Sequence, residues 1–313
     1  MTADKRTYAL LAAEPSGDLQ AAALVPYLRE LDPEAEFIGI GGKHLESQGV
    51  ELLCDTSWWG SIGATEVLTR LPRIIVQYYI FRFKYARRNP DVTVMIDSPA
   101  VFMRHGKYTR ARNLKTVYYF PPSAWSDNPK RMREIADRVT GVVATFRRSW
   151  ETYKKADVPV QYFGHPMVDV VKKKPRETVL EELGLKEGRY ITLLPGSRQQ
   201  EVRLMTPILL EAARLLQEWD PELTFLLPAA SPKVYDKLQP LVGDKALLYN
   251  GKAQEMLSIS ELAIMTSGSV SLEAAYLDCP MVLGYRFNRF DAALGRFLIR
   301  TGILKLKHFA LPN

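Results

Sequence analysis

The stretch Ile191–Val202, I-T-L-L-P-G-S-R-Q-Q-E-V, limits the fold more than any other part of this chain. Ile191, Thr192, Leu193 and Leu194 form a short apolar run with β-branched members, which reads as a buried strand. Pro195 and Gly196 stop it, and Ser197 is placed to cap the next helix. Ile208, Leu209, Ala212, Leu215, Leu216 and Trp219 then recur at helical spacing. Strand, tight glycine loop and helix is how an α/β domain offers free backbone N–H groups to a phosphate. Arg198 adds a planar fork of donors, which suits a diphosphate better than a point charge does. Pro-Gly-Ser-Arg is neither a Walker A loop nor G-x-G-x-x-G, so an ordinary βα turn with a surface arginine stays open on local pattern alone.

The rest of the chain repeats this alternation. Strands are expected at Tyr8–Ala13, Glu36–Ile40, Val92–Ile96, Lys115–Phe120 and Gly141–Ala144. A second series is expected at Tyr190–Leu194, Leu223–Leu227, Ala246–Tyr249, Leu262–Met265 and Met281–Leu283. Helical stretches between strands argue for parallel sheets. The first helix follows Glu14-Pro15-Ser16-Gly17-Asp18, with Ser16 and Asp18 read as its caps and Leu19, Ala22, Ala23, Pro26 and Tyr27 as one face. Val170–Thr178 is charged and broken by proline, as interdomain linkers are. The expected organisation is therefore two Rossmann-like α/β domains, 1–170 and 179–313, joined by 171–178, with parallel sheets facing a cleft.

With 313 residues, 47% of them hydrophobic, the chain is long enough for two cores. Two distant cysteines, Cys54 and Cys279, argue against a disulfide framework. No apolar run reaches the length of a transmembrane helix, and the N-terminus lacks the apolar core of a signal peptide, so a cytoplasmic location is expected. The histidines are scattered and the cysteines unpaired in spacing, so no metal site is expected. Net charge is +7 but unevenly placed: from Ser61 to Arg133, fourteen Lys or Arg stand against Glu66, Asp91, Asp97 and Asp127. Such a region wants a polyanion.

Four places could carry chemistry. Thr266-Ser267-Gly268-Ser269 follows a strand and opens a helix, repeating the logic of the Pro195–Arg198 loop. Glu273, about a turn in, could hold ribose hydroxyls. Asp97 ends a buried strand and Glu14 follows another, so either carboxylate could serve as a general base. Gly41 and Gly42 let the chain turn close to a ligand or to a neighbouring helix. Arg70–Arg88 mixes Arg70, Arg73 and Arg82 with Ile74, Ile75, Tyr78, Tyr79, Phe81, Phe83 and Tyr85. That mixture suits a membrane interface, though a core helix with a basic outer face fits the same pattern. No recognised nucleic-acid module accompanies it.

These motifs, in this order, resemble the lipid A disaccharide synthase family over essentially the whole chain. The carriers are A-E-P-S-G-D (13–18), G-I-G-G (39–42), G-A-T-E-V-L-T-R-L-P-R (63–73), P-D-V-T-V-M-I-D-S-P (90–99) and F-G-H-P-M-V-D (163–169). L-L-P-G-S-R-Q-Q-E-V (193–202), S-G-S-V-S-L-E (267–273), C-P-M-V-L-G-Y-R (279–286) and L-P-N (311–313) complete the set. The resemblance implies a GT-B fold whose C-terminal domain holds UDP. It implies an inverting, metal-independent glycosyl transfer with no cofactor, joining UDP-2,3-diacylglucosamine to 2,3-diacylglucosamine 1-phosphate. By motif position, Asp97, Glu14 and Arg198 are the catalytic candidates. Gly196, Ser197, Arg198, Glu201, Ser267, Gly268, Ser269, Glu273, Tyr285 and Asn313 would bind the nucleotide sugar. Ser16, Gly17, Asp18, Gly41 and Gly42 would form the acceptor-side loop. Arg70, Arg73, Ile74, Ile75, Tyr78, Tyr79, Phe81 and Arg82 fall where the family docks on membranes.

The implied partners are acylated glucosamine lipids, an anionic membrane surface and a second copy of the chain, with no nucleic acid. The implied place is the inner face of the cytoplasmic membrane. Three departures bear on this. Where the family usually carries I-D-x-P-D-F-N, this chain has Ile96-Asp97-Ser98-Pro99-Ala100-Val101-Phe102, without the second acid. The family's S-P-S-V-W-A-W stands here as Phe120-Pro121-Pro122-Ser123-Ala124-Trp125-Ser126. Family members also continue beyond the position of Asn313 into further helices. The alternatives are a UDP-N-acetylglucosamine 2-epimerase-like enzyme or a non-catalytic protein that binds a nucleotide sugar or a lipid surface.

Overall fold

The computed structural model describes residues 5–56, 64–121 and 129–287, without the side chains of residues 15, 64–71, 100 and 129. The chain divides into two compact units, Met1–Pro166 and Met167–Asn313. In the first, β1 (Thr7–Ala12), α1 (Pro15–Leu31), β2 (Glu36–Gly41), α2 (Lys43–Ser47) and β3 (Glu51–Asp55) lead to the long helix α3 (Ala64–Arg88). There follow β4 (Val92–Ile96), α4 (Pro99–Arg110), β5 (Lys115–Tyr119), α5 (Pro129–Ala136), β6 (Gly141–Ala144), α6 (Arg147–Lys155) and β7 (Val160–Tyr162). The seven strands pair in parallel in the order β3-β2-β1-β4-β5-β6-β7.

Both faces of this sheet are covered, which is why its central strands read as continuous apolar runs. Along β1 the strand period of two sends Ala9 and Leu11 into a core with Phe81, Tyr85 and Phe102. Leu10 and Ala12 enter the opposite core with Ala21, Val25 and Leu45. The strands β3 and β7 were not expected from sequence. Both are edges, one lacking any β-branched residue and the other only three residues long.

The inward face of α1 differs from the expected one. Leu19, Ala23, Pro26 and Tyr27 are exposed, while Gly17, Asp18, Ala21, Ala22 and Val25 are buried. The reason is proximity: a Cβ on Gly17 would lie 3.5 Å from the Ile96 carbonyl oxygen and 3.6 Å from Ala12 Cβ. A helix starting that close to strand ends can turn only small residues inward. Asp18 does not cap α1 either. Its buried carboxylate accepts from the backbone N–H groups of Gly42 (2.7 Å), His44 (3.0 Å) and Leu45 (3.3 Å), so it opens α2 instead.

The second unit begins with α7 (Met167–Val170) and α8 (Arg176–Leu183). Val171 packs into this unit beside Leu194, Met265 and Leu277. Then come β8 (Arg189–Leu194), α9 (Gln199–Trp219), β9 (Leu223–Ala229), α10 (Pro232–Val242) and β10 (Leu247–Asn250). The described part closes with α11 (Ala253–Ile259), β11 (Leu262–Met265), α12 (Val270–Tyr276) and β12 (Met281–Leu283). Its five parallel strands run in the order β10-β9-β8-β11-β12.

Gly39 tests the packing of the first sheet. It pairs with Leu10, and a Cβ there would overlap the Leu10 carbonyl oxygen, whereas one on Gly268 meets nothing within 4 Å. Gly39→Ala is expected to cost about 3 kcal/mol. Thermal unfolding compared with Gly268→Ala, which should match the parent protein in stability, checks this.

Candidate active site

In each sheet the strand order reverses once, between β1 and β4 and between β8 and β11. Loops leaving adjacent strands at such a point diverge to opposite faces and leave a crevice beyond the carboxyl ends. The carboxylate and arginine singled out from sequence follow strands that border these reversals.

In the first unit, Asp97 follows β4. Its φ is +53° and that of Ser98 is +46°, both left-handed. Its N–H donates to the Tyr119 carbonyl at 3.3 Å, and the Tyr118 hydroxyl donates to the Asp97 carbonyl at 2.9 Å. Burial pushes the Asp97 carboxyl above its usual range, and the Ser98 backbone N–H offsets this only in part. A carboxylate held this way is a stronger base than an exposed one. Glu14 stands at the N-cap of α1 without capping through its side chain, and its carbonyl accepts the Asp18 N–H at 2.9 Å. Ser16 is exposed in the first turn of α1.

Among the other acceptor-side candidates, Asp18, Gly41 and Gly42 support the fold. A Cβ on Gly41 would lie 2.5 Å from Leu45 Cδ1 and 2.7 Å from Asp18 Oδ1. Gly41 thus makes room for the neighbouring helix and the buried aspartate, to which the Gly42 N–H donates at 2.7 Å. Sequence reasoning missed Thr56, whose hydroxyl donates to the Ala12 carbonyl at 2.8 Å and ties down the end of β1. It also missed Tyr118; neither residue carries a motif that could have drawn attention to it.

In the second unit, Gly196 follows β8 with φ of +105°, and a Cβ there would overlap Glu201 Oε2. Only glycine suits both conditions. Arg198, not Ser197, is the N-cap of α9, so the expected serine cap is corrected; Ser197 is exposed beside it. The Glu201 carboxylate accepts from the Arg198 backbone N–H at 3.3 Å, from Arg198 Nη1 at 3.5 Å and from the Tyr285 hydroxyl at 3.4 Å. Glu201 is therefore placed to orient Arg198, and Tyr285 reaches the loop through it.

The Ser267–Ser269 turn is tighter than expected. Ser271 N–H and hydroxyl both donate to the Gly268 carbonyl, at 3.1 and 2.6 Å, and Leu272 N–H donates to Ser269. Two first-turn donors of this short helix are thus spent internally. Glu273 is half-buried, and burial raises its carboxyl above the usual range. Gln254 Nε2 holds one of its oxygens at 2.9 Å, another partner that sequence reasoning missed. Asn313 lies outside the described residues.

Helix α3 separates the residues of the expected membrane face. Tyr78 (6% exposed) and Phe81 (1%) are core residues, packed with Tyr85 around the buried His105 ring, and are corrected as lipid contacts. Arg73, Ile75 and Tyr79 face outward and Ile74 is half-buried. Val76, Ile80 and Phe83, the last 63% exposed, extend the outward apolar strip. Arg82 lies 4.4 Å from the Tyr108 ring centroid. The Arg70 side chain lies outside the described part of the chain. Among the described residues no group of three or more His, Cys, Asp or Glu is placed to hold a metal ion.

Two parallel α/β units, each with a single strand-order reversal, are the architecture of the GT-B fold. A UDP-GlcNAc 2-epimerase from Neisseria meningitidis, solved bound to UDP-GlcNAc, has this fold with a TM-score of 0.59 at 12% identity. The match covers 93% of this chain and 85% of that one. Relatives narrow the class. The lipid-A-disaccharide synthase of Xanthomonas campestris pv. campestris strain 8004 is 34% identical over 314 residues, 97% of this chain and 71% of its own length. That of Chromobacterium violaceum is 34% identical over 319 residues, 97% and 80% of the two lengths. The family model for lipid-A-disaccharide synthetase, LpxB, matches residues 8–313, and the chain belongs to that family.

The raised Asp97 carboxyl has a consequence for stability. Above its folded-state value, burial of the charge opposes folding; below the ordinary value of 3.8 both states are protonated and the penalty vanishes. Asn also tolerates the left-handed conformation. Asp97→Asn is therefore expected to raise the unfolding temperature at neutral pH, with the gain shrinking to nothing below about pH 3.8. Melting curves of both proteins across pH check it.

Proposed function

We propose that this chain transfers a glucosamine lipid from UDP-2,3-diacylglucosamine to 2,3-diacylglucosamine 1-phosphate, forming lipid A disaccharide 1-phosphate and UDP. Membership of the lipid-A-disaccharide synthetase family gives the reaction. The observation that carries the mechanism is Asp97, held left-handed at a strand reversal with its carboxyl raised by burial. In this reading Asp97 accepts the proton of the acceptor's 6-hydroxyl as that oxygen attacks the donor's anomeric carbon. Attack from the face opposite UDP inverts the carbon and breaks its bond to the diphosphate. Arg198, steadied by Glu201, offsets the charge that builds on the departing UDP. Glu273 with Gln254 holds ribose hydroxyls, and Glu14 supports the acceptor side.

The two roles separate in a mixed-micelle assay read by mass spectrometry. Asp97→Ala should lower turnover by roughly 10²–10⁴ while leaving UDP affinity unchanged. Arg198→Ala should weaken UDP binding about tenfold or more, the loss of a charge-assisted contact. Unchanged turnover in the first would remove the base, and unchanged UDP affinity in the second would remove the diphosphate contact.

Both substrates carry acyl chains, so the enzyme works at a membrane surface. No described helix is long and apolar enough to cross a membrane. The outward strip of α3, Ile75, Val76, Tyr79, Ile80 and Phe83, enters the headgroup region, and neighbouring cations such as Arg87 meet anionic lipid. Replacing Ile75, Tyr79 and Phe83 by Ser is expected to abolish co-sedimentation with vesicles containing anionic phospholipid while UDP binding persists.

A further inference from the structure

The peptide group between Asp97 and Ser98 is held through its carbonyl, which accepts the Tyr118 hydroxyl at 2.9 Å. Its N–H, that of Ser98, is what lowers the Asp97 carboxyl against the effect of burial. In a trans peptide the carbonyl and N–H point in opposite directions, so fixing one aims the other. Tyr118 comes from β5, which pairs with β4 up to Ile96 and Tyr119, and its side chain is fully buried. The next residue, Tyr119, takes the Asp97 N–H through its carbonyl. Asp97 is thus clamped by two consecutive residues of one strand, one through its side chain and one through its backbone. The clamp is needed because two successive non-glycine residues are left-handed here, each costing on the order of 1–2 kcal/mol.

We infer that Tyr118 is a positioning residue for the reaction: through its hydroxyl it fixes the Asp97–Ser98 peptide and so holds the Asp97 carboxylate where it meets the acceptor hydroxyl. The inference rests on the proposed role of Asp97 as the base. Among the described residues no other hydrogen bond serves the Asp97 carbonyl. The phenol remains a donor throughout the working pH range, because burial and the adjacent Asp97 and Tyr153 hold its own ionisation well above the ordinary value. Among the described residues no charged side chain contributes to the Asp97 shift, whose causes are burial and the Ser98 N–H.

Tyr118→Phe removes one oxygen from a packed ring. The core supplies a matched control in Tyr153, equally buried, whose hydroxyl has no hydrogen-bond partner among the described residues. For Tyr118→Phe, kcat should fall about ten- to a hundredfold with KM for both substrates and UDP affinity unchanged. The acid limb of the kcat–pH profile should also move to higher pH. Losing the Ser98 N–H removes the only influence that lowers the Asp97 carboxyl, while burial continues to raise it. Tyr153→Phe should leave kcat and the limb as they are. A Tyr118→Phe enzyme indistinguishable from Tyr153→Phe overturns the inference. So does one whose activity falls with an unmoved limb, or with a limb moved to lower pH, since both describe a loosened core. Asp97→Asn run alongside separates the two levels. Turnover retained in Asp97→Asn removes the base itself and this inference with it, whereas an inactive Asp97→Asn beside a normal Tyr118→Phe removes only the role of Tyr118.

Discussion

In each unit the candidate site residues depend on how a parallel sheet ends at a strand reversal. At the carboxyl edge each strand leaves a last carbonyl that the neighbouring ladder no longer serves, and a buried acceptor without a partner is costly. The two units meet this in the same way. In the first, the buried Thr56 hydroxyl donates to the Ala12 carbonyl at the end of β1. In the second, Thr266, equally buried, donates through both its backbone N–H (2.9 Å) and its hydroxyl (3.3 Å) to the Leu194 carbonyl at the end of β8. With the strand ends closed off, the next residues can depart from regular structure without exposing unpaired backbone. Gly196 after β8 does so.

The departures carry strain, and the strain is local. Asp97, Ser98 and Phe120 all have positive φ, and they follow the adjacent strands β4 and β5. None is a glycine, so the conformation must be imposed by surroundings rather than by freedom from a side chain. The Tyr118 and Tyr119 bonds impose it at Asp97, and the core around Tyr118, Met95 and Tyr153 keeps the clamp itself from moving. The second unit solves its problem differently. There a glycine accepts the unusual φ, and a buried glutamate fills the space a side chain would occupy. Glycine at position 97 would leave no carboxylate there, whereas Gly196 leaves Arg198 two residues on in place.

The sequence made the alternation of strands and helices legible because buried parallel strands are short apolar runs with β-branched members, as at Val92–Ile96 and Ile191–Leu194. It marked Asp97, Arg198 and Glu273 as candidates because each follows such a run or opens the next helix. It hid whatever depends on which atoms meet. Asp18 looks like a cap for its own helix, and only the close approach of α1 to the sheet turns it toward Gly42 and Leu45. Leu19 and Tyr27 look like core residues, but the face that fits beside Ile96 must be small. Tyr118 is one aromatic residue in a strand of aromatic residues, and nothing in V-Y-Y-F marks its hydroxyl as the one that finds a partner while that of Tyr153 does not.

Helix α3 shows the same limit from the other side. A helix with apolar residues around most of its circumference has two ways to be stable, burial on all sides or contact with something other than water. Here one side is buried, with Tyr78, Phe81 and Tyr85 against His105, whose ring is held neutral with its ionisation pushed down to about 3 by burial. The other side keeps Val76, Tyr79, Ile80 and Phe83 outward. While Arg88 is paired with Glu36 and Glu51, three other arginines around it are disposed differently from Arg189 and Arg214 of the second unit. Arg189 lies between Asp220 and Glu261, and Arg214 between Glu211 and Glu218, so those charges are answered within the fold. Arg82 and Arg112 instead lie over the Tyr108 ring and Arg87 over Phe83. A ring holds a guanidinium in place without neutralising it, which leaves its charge available to an anion from outside. Apolar side chains flanked by cations of that kind fit an enzyme whose substrates are anionic lipids.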